Sequence, residues 1–152
     1  MLTNLDNTLD LKKIVNLSRN AREILEKKSN KFINNLLKEI TLKILEKKTN
    51  RYLSSLAVKE TSFGNVEDKM LKNYNKTKNL LADLNKIELF QPNFDNKKNI
   101  YEIFKPIGLI CGVTPSTNPI ATTLNYILNS IKSRNSIIIC PNPRSFNTVK
   151  EL

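Results

Sequence analysis

The chain has 152 residues, 39% of them hydrophobic and 26% charged, with 25 lysines and arginines against 14 acidic residues and a formal charge of +11. That profile fits one domain or a piece of a larger one, is long enough to bury a core, and excludes the disordered class. No run approaches the ~18 apolar residues of a membrane span, residues 1–10 lack the basic-then-apolar order of a signal peptide, and the absence of any histidine removes Cys–His and Ser–His pairs and most transition-metal sites.

The expectation is therefore a cytoplasmic protein with no membrane association and no metal. The positive charge is dispersed: lysines alternate with glutamate and asparagine in helical stretches, as in Glu26-Lys27-Lys28 and Glu46-Lys47-Lys48. No nucleic-acid-binding motif accompanies it, so no specific nucleic-acid partner is expected, and a basic nucleic-acid-binding protein, prompted by the charge alone, is the weaker alternative reading.

Apolar residues at Leu11, Ile14, Val15, Leu17, Ala21, Ile24 and Leu25 follow a 3.6-residue period and predict a helix from Leu9 to Leu25. Ser29 is placed to cap a second helix, with Phe32, Ile33, Leu36, Leu37, Ile40, Ile44 and Leu45 on its buried side. A third runs from about Asn50 to Glu60 with Leu53, Leu56 and Ala57 inward. Gly64 breaks the pattern, and a fourth carries Val66, Met70 and Tyr74 towards Leu81. After Leu84 the texture changes. Ile87–Gln91 and Ile100–Phe104 read as strands separated by the polar stretch Pro92–Asn99, which is too long for a tight hairpin.

Pro106–Val113 reads as a buried strand, Thr114–Pro119 as a turn, Ile120–Lys132 as a helix and Ser136–Cys140 as a second buried strand. Pro141-Asn142-Pro143 and a helix beginning near Ser145 follow. Two apolar strands joined by a helix form a βαβ unit. The fold class is thus α/β, with N-terminal helices in residues 1–84, a strand pair with a polar loop in 85–105, and a first βαβ unit in 106–152. A parallel sheet of two strands is incomplete, because both faces and both edges need cover. The chain reads as interrupted.

Among the polar residues, Asn118-Pro119 suits the N-cap and first positions of a helix. Cys111 and Cys140 lie in apolar runs with nothing to lower their pKa, and are expected to be buried, unreactive thiols. Glu60, Glu67 and Asp68 are the most tempting carboxylates, but Glu67, Asp68 and Lys69 on a helix suit a solvated face or lysine pairs, and no chemistry is assigned to any of them. Gly108-x-x-x-Gly112 is not the dinucleotide fingerprint.

Three segments taken together carry a resemblance: Lys59–Lys69, Lys105–Pro119 and Ser133–Arg144. Their order and spacing resemble the N-terminal region of the CoA-acylating aldehyde dehydrogenases. That family includes the aldehyde half of bifunctional aldehyde–alcohol dehydrogenases and the microcompartment acetaldehyde and propionaldehyde enzymes. The Thr-Asn-Pro turn and the Pro-x-Pro after the next strand separate this branch from non-acylating relatives. The resemblance implies an aldehyde-dehydrogenase-type NAD-binding parallel sheet and the reaction of aldehyde, CoA and NAD to acyl-CoA and NADH, with a cysteine nucleophile in a separate domain. That cysteine lies beyond the position matching Leu152, and neither cysteine of this chain corresponds to it.

By the same resemblance Asn118 matches the asparagine that helps hold the aldehyde oxygen as charge develops. Thr114, Pro115, Ser116 and Thr117 match the loop on the nicotinamide side of the cofactor cleft. Cys140, Pro141 and Asn142 match the strand end that meets the adenosine ribose. A small residue at Cys140 fits the acylating branch; Asn142 stands where that branch commonly has histidine. The cofactor implied is NAD with CoA as co-substrate, and the partners of the parent enzyme are a small aldehyde and CoA. For the chain itself the expectation is no independent dehydrogenase activity, with homo-oligomers or pairing with a full-length homologue or a separately encoded remainder as the alternative role.

Overall fold

The computed structural model describes residues 6–152, and side-chain environments from residue 11 onward. Residues 1–5, part of the stretch read for a leader, lie outside the described residues, as does the side chain of Leu9. Four helices come first: α1 (Asp6–Glu26), α2 (Asn30–Leu45), α3 (Lys47–Thr61) and α4 (Val66–Lys86). A hairpin of β1 (Asn93–Asp95) and β2 (Ile100–Glu102) leads into β3 (Leu109–Thr114), α5 (Pro119–Lys132), β4 (Ser136–Pro141), a 3-10 turn at Pro143–Ser145 and the short α6 (Phe146–Lys150).

The caps explain most boundaries. The Ser29 hydroxyl accepts the Phe32 N–H at 3.2 Å and starts α2. Glu46, with extended ψ of 133°, separates α2 from α3, so α3 begins at Lys47 and not at Asn50. Gly64 takes φ of 69°, a value that costs glycine little. Asn65 then caps α4 by accepting the Asp68 N–H at 2.8 Å.

Helix α5 is the hub. Its stripe of Ile120, Leu124 and Leu128 is buried, at the spacing of an amphipathic helix. Leu128 joins Ile33 and Leu37 of α2 and Leu84 of α4 in one cluster. Ile120 and Leu124 join Leu53 and Ala57 of α3 in another. Both clusters therefore combine the N-terminal helices with the strand–helix–strand unit.

Strands β3 and β4 are parallel, with Leu109 opposite Ser136 and Thr114 opposite Pro141. Gly112 lets α5 close on this sheet, since a Cβ there would stand 2.9 Å from the Tyr126 ring and 3.1 Å from Ile137. The Gly108 N–H donates to the Asn135 side chain at 2.7 Å, and the Ser136 N–H to the Gly108 carbonyl at 3.1 Å. These bonds set where the two strands begin.

Several expectations are corrected. Helix α1 forms, but its inner face is Val15, Ser18, Arg22 and Leu25, while Leu11, Ile14, Leu17 and Ile24 are exposed. Phe32 is also exposed, with the Lys28 ammonium 5.1 Å from its ring. The inner face of α4 is Asn73, Thr77 and Leu84, whereas Tyr74 is exposed. Ile87–Gln91 is not a strand. Phe90 has φ of 69°, which strand pairing does not tolerate, and its ring lies 4.3 Å from the Arg134 guanidinium. The first strand instead falls inside the polar stretch. Asp95 accepts the N–H groups of Lys97 and Lys98 at 2.9 and 3.2 Å, and Asn99 turns back with φ of 55°. That closes a tight hairpin, with Phe94 and Tyr101 stacked across it at 4.8 Å. Nor are β3 and β4 buried: Cys111 and Val113 are exposed and β4 is half-buried.

Two polar connections tie the helices together. Between α3 and α4 the Asn73 amide donates to Asn50 Oδ1 at 3.0 Å and to the Ser54 hydroxyl at 3.2 Å, and the Asn50 amide donates to the Met70 carbonyl at 3.0 Å. All three side chains are buried. Between α3 and α6, Glu60 accepts the N–H of Asn147 and of Thr148, both at 2.8 Å, and the Thr148 hydroxyl at 2.7 Å.

Partial burial pushes the Glu60 carboxyl up, but these hydrogen bonds outweigh it and hold it below the usual value of 4.5. A carboxylate depressed in the folded state stabilises above its unfolded pKa, and that contribution is lost as pH falls through the lower folded pKa. Glu60→Gln is expected to cost about 1–2 kcal/mol at pH 7, solvent screening included. Urea denaturation should show the difference from wild type shrinking as pH is taken from 6 to below 4; a difference that stays constant would remove the carboxylate's role.

Candidate functional site

The loop after β3 and the turn after β4 come together at the C-terminal end of the parallel pair. Strand pairing sets Val113 opposite Cys140 and Thr114 opposite Pro141, and the Asn142 N–H donates to the Thr114 carbonyl at 3.2 Å. The structure thus brings Thr114, Cys140, Pro141 and Asn142 to one edge, with Pro115, Ser116, Thr117 and Asn118 leading from it into α5. Such an edge is where open α/β sheets bind ligands. Thr114 is 2% exposed and its hydroxyl has no partner among the described residues, an uncommon state for a buried polar group. Asn142 accepts the Arg144 N–H at 2.9 Å and so starts the 3-10 turn. Pro115 and Thr117 are exposed, and Ser116 is half-buried.

Asn118 occupies the N-cap position of α5 without capping it. Its backbone carbonyl accepts the first helical bond, from Thr122 N–H at 3.1 Å, but its side chain makes no hydrogen bond to the first turn. The half-buried amide stands between two clefts. One, of about 330 Å³, has Lys72, Lys76, Thr77 and Leu80 of α4 along one wall. Its other wall is Asn118, Ala121, Thr122 and Asn125 of α5. The second, of about 300 Å³, lies under Phe63, Gly64, Asn65 and Lys69 and also reaches Thr117 and Asn118. The Lys69 ammonium donates to the Thr117 carbonyl at 3.3 Å, which pins the loop to α4. Burial, and then repulsion from Lys72, lower the Lys69 pKa.

The sequence reading missed Lys69, Lys72, Lys76 and Thr77 as neighbours of Asn118. The signal available was the i, i+3, i+7 spacing of the lysines, which places them on one helix face. The three carboxylates singled out do not converge. Glu60 holds α6, Glu67 makes a 3.6 Å surface pair with Arg51, and Asp68 accepts from the Asn65 amide at 2.7 Å.

The cysteines differ from expectation. Their sulfurs face each other at 3.4 Å across β3 and β4, Cys111 exposed and Cys140 half-buried. The Cys140 pKa is raised, first by its hydrogen bond to Cys111, then by burial and by the neighbouring charge. A raised thiol pKa is the opposite of what a nucleophile needs.

No family model matches the chain. Among individual proteins, the acylating sulfoacetaldehyde dehydrogenase of Cupriavidus necator is 43% identical over 93 residues, 60% of this chain and 19% of that one. The bifunctional aldehyde-alcohol dehydrogenase of Escherichia coli K12 is 38% identical over 93 residues, 59% of this chain and 10% of that one. The crystal structure of an acetylating aldehyde dehydrogenase from Geobacillus thermoglucosidasius superposes with a TM-score of 0.88 at 28% identity, covering 99% of this chain and 33% of that one. An engineered glycolyl-CoA reductase with bound NADP+ and a Rhodopseudomonas palustris propionaldehyde dehydrogenase with bound propionyl-CoA share the fold, each with a TM-score of 0.75, at 21% and 22% identity. The chain spans between a tenth and a third of the length of these proteins. It is homologous to the N-terminal part of the acylating aldehyde dehydrogenases.

Proposed function

We propose that this chain forms the N-terminal part of an NAD-dependent, CoA-acylating aldehyde dehydrogenase and contributes the Asn118 amide that receives the aldehyde oxygen. The observation that carries this reading is the uncapped Asn118 side chain at the edge where Thr114 and Asn142 meet. An amide that is held in position but makes no helix cap is available to donate when negative charge develops on a carbonyl oxygen. Thr114–Thr117 line the nicotinamide side of the cleft, and Cys140–Asn142 the adenosine side. The unsatisfied Thr114 hydroxyl fits a polar group arriving there. NAD, when bound, supplies the hydride acceptor, and CoA takes the acyl group. A cytoplasmic enzyme acting on a small aldehyde is the setting that follows. Among the described residues no helix is long and apolar enough to cross a membrane.

The test joins this chain to the remainder of the Geobacillus thermoglucosidasius enzyme in place of its matching segment. NADH formation from acetaldehyde, CoA and NAD is expected from the chimaera, and none from the 152-residue chain alone, whose two thiols face each other and include one with a raised pKa. A folded chimaera that binds NAD yet forms no NADH would remove the reading, as would activity in the lone chain.

A second reading has one observation behind it: Val113 and Ile107 are 70% and 88% exposed. Exposed apolar residues on β3 and on the segment leading into it suit a module that pairs with an intact homologue or a separately encoded remainder.

A further inference from the structure

Cys111 and Cys140 are the chain's only cysteines, and the fold brings their sulfurs to 3.4 Å. We infer that they form a redox-active pair, which a hydroperoxide closes to a disulfide and a small thiol reopens. The pair stands on the geometry of the sheet and does not depend on the enzyme reading.

Strand alternation sets both thiols on one face. A Cβ at Gly112 would meet Tyr126 of α5 together with Ile137 and Ile139, so those positions face the helix. Cys111, Val113, Ile138 and Cys140 face the other way. Cys111 pairs with Ile138 and Cys140 with Val113, which leaves the two thiols diagonal to each other. The face is open above them: Cys111 is exposed and Val113 is 70% exposed. Both cysteines are free in the folded chain, so a bond between them would be an addition to the fold and not a staple that holds it.

The two thiols have unequal parts. Exposed Cys111 meets the oxidant first. Its thiolate attacks one peroxide oxygen, the O–O bond breaks, and Cys111 becomes a sulfenic acid while the other oxygen leaves as an alcohol or water. The Cys140 sulfur then attacks the Cys111 sulfur. The S–O bond breaks, water leaves, the Cys140 proton is released, and the S–S bond forms. The sulfurs give up two electrons and the peroxide accepts them. The hydrogen bond to Cys111, then burial and the neighbouring charge, raise the Cys140 pKa, which suits the second step and not the first. Contact with its target makes that second step intramolecular.

Closure would be felt at the strand ends. A disulfide holds its sulfurs about 2.05 Å apart, so the bond draws β4 against β3 at Cys140. The next residue, Pro141, pairs with Thr114, and the Asn142 N–H donates to the Thr114 carbonyl at 3.2 Å. Oxidation of the pair therefore shifts the junction from which the loop into α5 departs.

The test exposes the full chain to hydrogen peroxide, alkylates the remaining thiols and measures intact mass. The expected product is a monomer lighter by two hydrogens, with both thiols lost together and both recovered by dithiothreitol. In Cys140→Ser the sulfenic acid should persist on Cys111. Dimedone should capture it at least about tenfold more than it captures Cys140 in Cys111→Ser, because exposure governs the first oxidation. Amide signals of Thr114 and Asn142 should move on oxidation of the wild type and not of Cys140→Ser. Loss of one thiol without the other, disulfide-linked dimers in place of the internal bond, or sulfinic acid as the first product would overturn the inference. Unmoved Thr114 and Asn142 signals would overturn the coupling to the strand ends. The wild-type mass decides even where a serine variant is unstable, and an inactive chimaera would leave it unchanged.

Discussion

With the chain joined to the remainder of an acetylating aldehyde dehydrogenase, Asn118→Ala is expected to lower kcat about 10²- to 10³-fold, the loss typical of one oxyanion donor. KM for the aldehyde should change little, because the bond is made chiefly as charge develops. Thermal stability should also change little. An asparagine that caps its helix costs about 0.5–2 kcal/mol when truncated to alanine, but the Asn118 side chain makes no cap bond. The two roles that the Asn-Pro pair suggests therefore give opposite results. A fall in kcat at constant melting temperature marks a donor; a fall in melting temperature at constant kcat marks a cap, and would end the catalytic assignment.

Leu128→Ala is expected to cost about 3–4 kcal/mol of folding free energy, within the range for fully buried leucines. Leu128 is 0% exposed and touches residues of α2 and α4 at once, with Ile33, Leu37 and Leu84 around it and Leu81 and Ile131 at the margin. Helices α2 and α4 form the walls, so neither can move inward to refill the space without leaving its other contacts. A domain with about 5–15 kcal/mol in total would lose a large part of it. Urea denaturation followed by circular dichroism measures the effect, with Val113→Ala on the exposed sheet face as a control expected within about 0.5 kcal/mol of wild type. A loss under about 1 kcal/mol at Leu128 would mean that α5 is not seated as described.

Local signals made much of the fold legible. Ser29 and Asn65 are side-chain caps, Gly64 is a break that needs positive φ, and the apolar runs at Leu109 and Ile137 pair in parallel around a helix. Competition between faces was harder to read. Helix α1 has more apolar residues than it buries, so periodicity identified the helix but not its inner side. In α4 the inner side is polar, because Asn73 and Thr77 meet partners or a cavity supplied by other helices, which no window along the chain reveals. The strand assigned to Ile87–Gln91 failed for a backbone reason: one left-handed residue, Phe90, outweighs a favourable composition. The hairpin was hidden in a polar stretch because an aspartate side chain, not apolar alternation, makes its turn. At the site, the residues on β3, β4 and the loop were legible through the motifs that resemble the family. The lysines were not, because their significance arises only when α4 lies against the start of α5.

The buried Asn50–Ser54–Asn73 hydrogen bonds act as an indexing pin for α4. An apolar contact tolerates a rotation of some tens of degrees with modest loss, whereas a buried amide rotated out of reach of its acceptors leaves unmet polar atoms on two helices. Asn73 directly follows Lys72, so whatever sets the rotation of one sets that of the other. A group hidden between α3 and α4 thereby determines that the lysine row flanks the start of α5. Alteration of the pin would misalign the charge without touching any residue that lines the cleft.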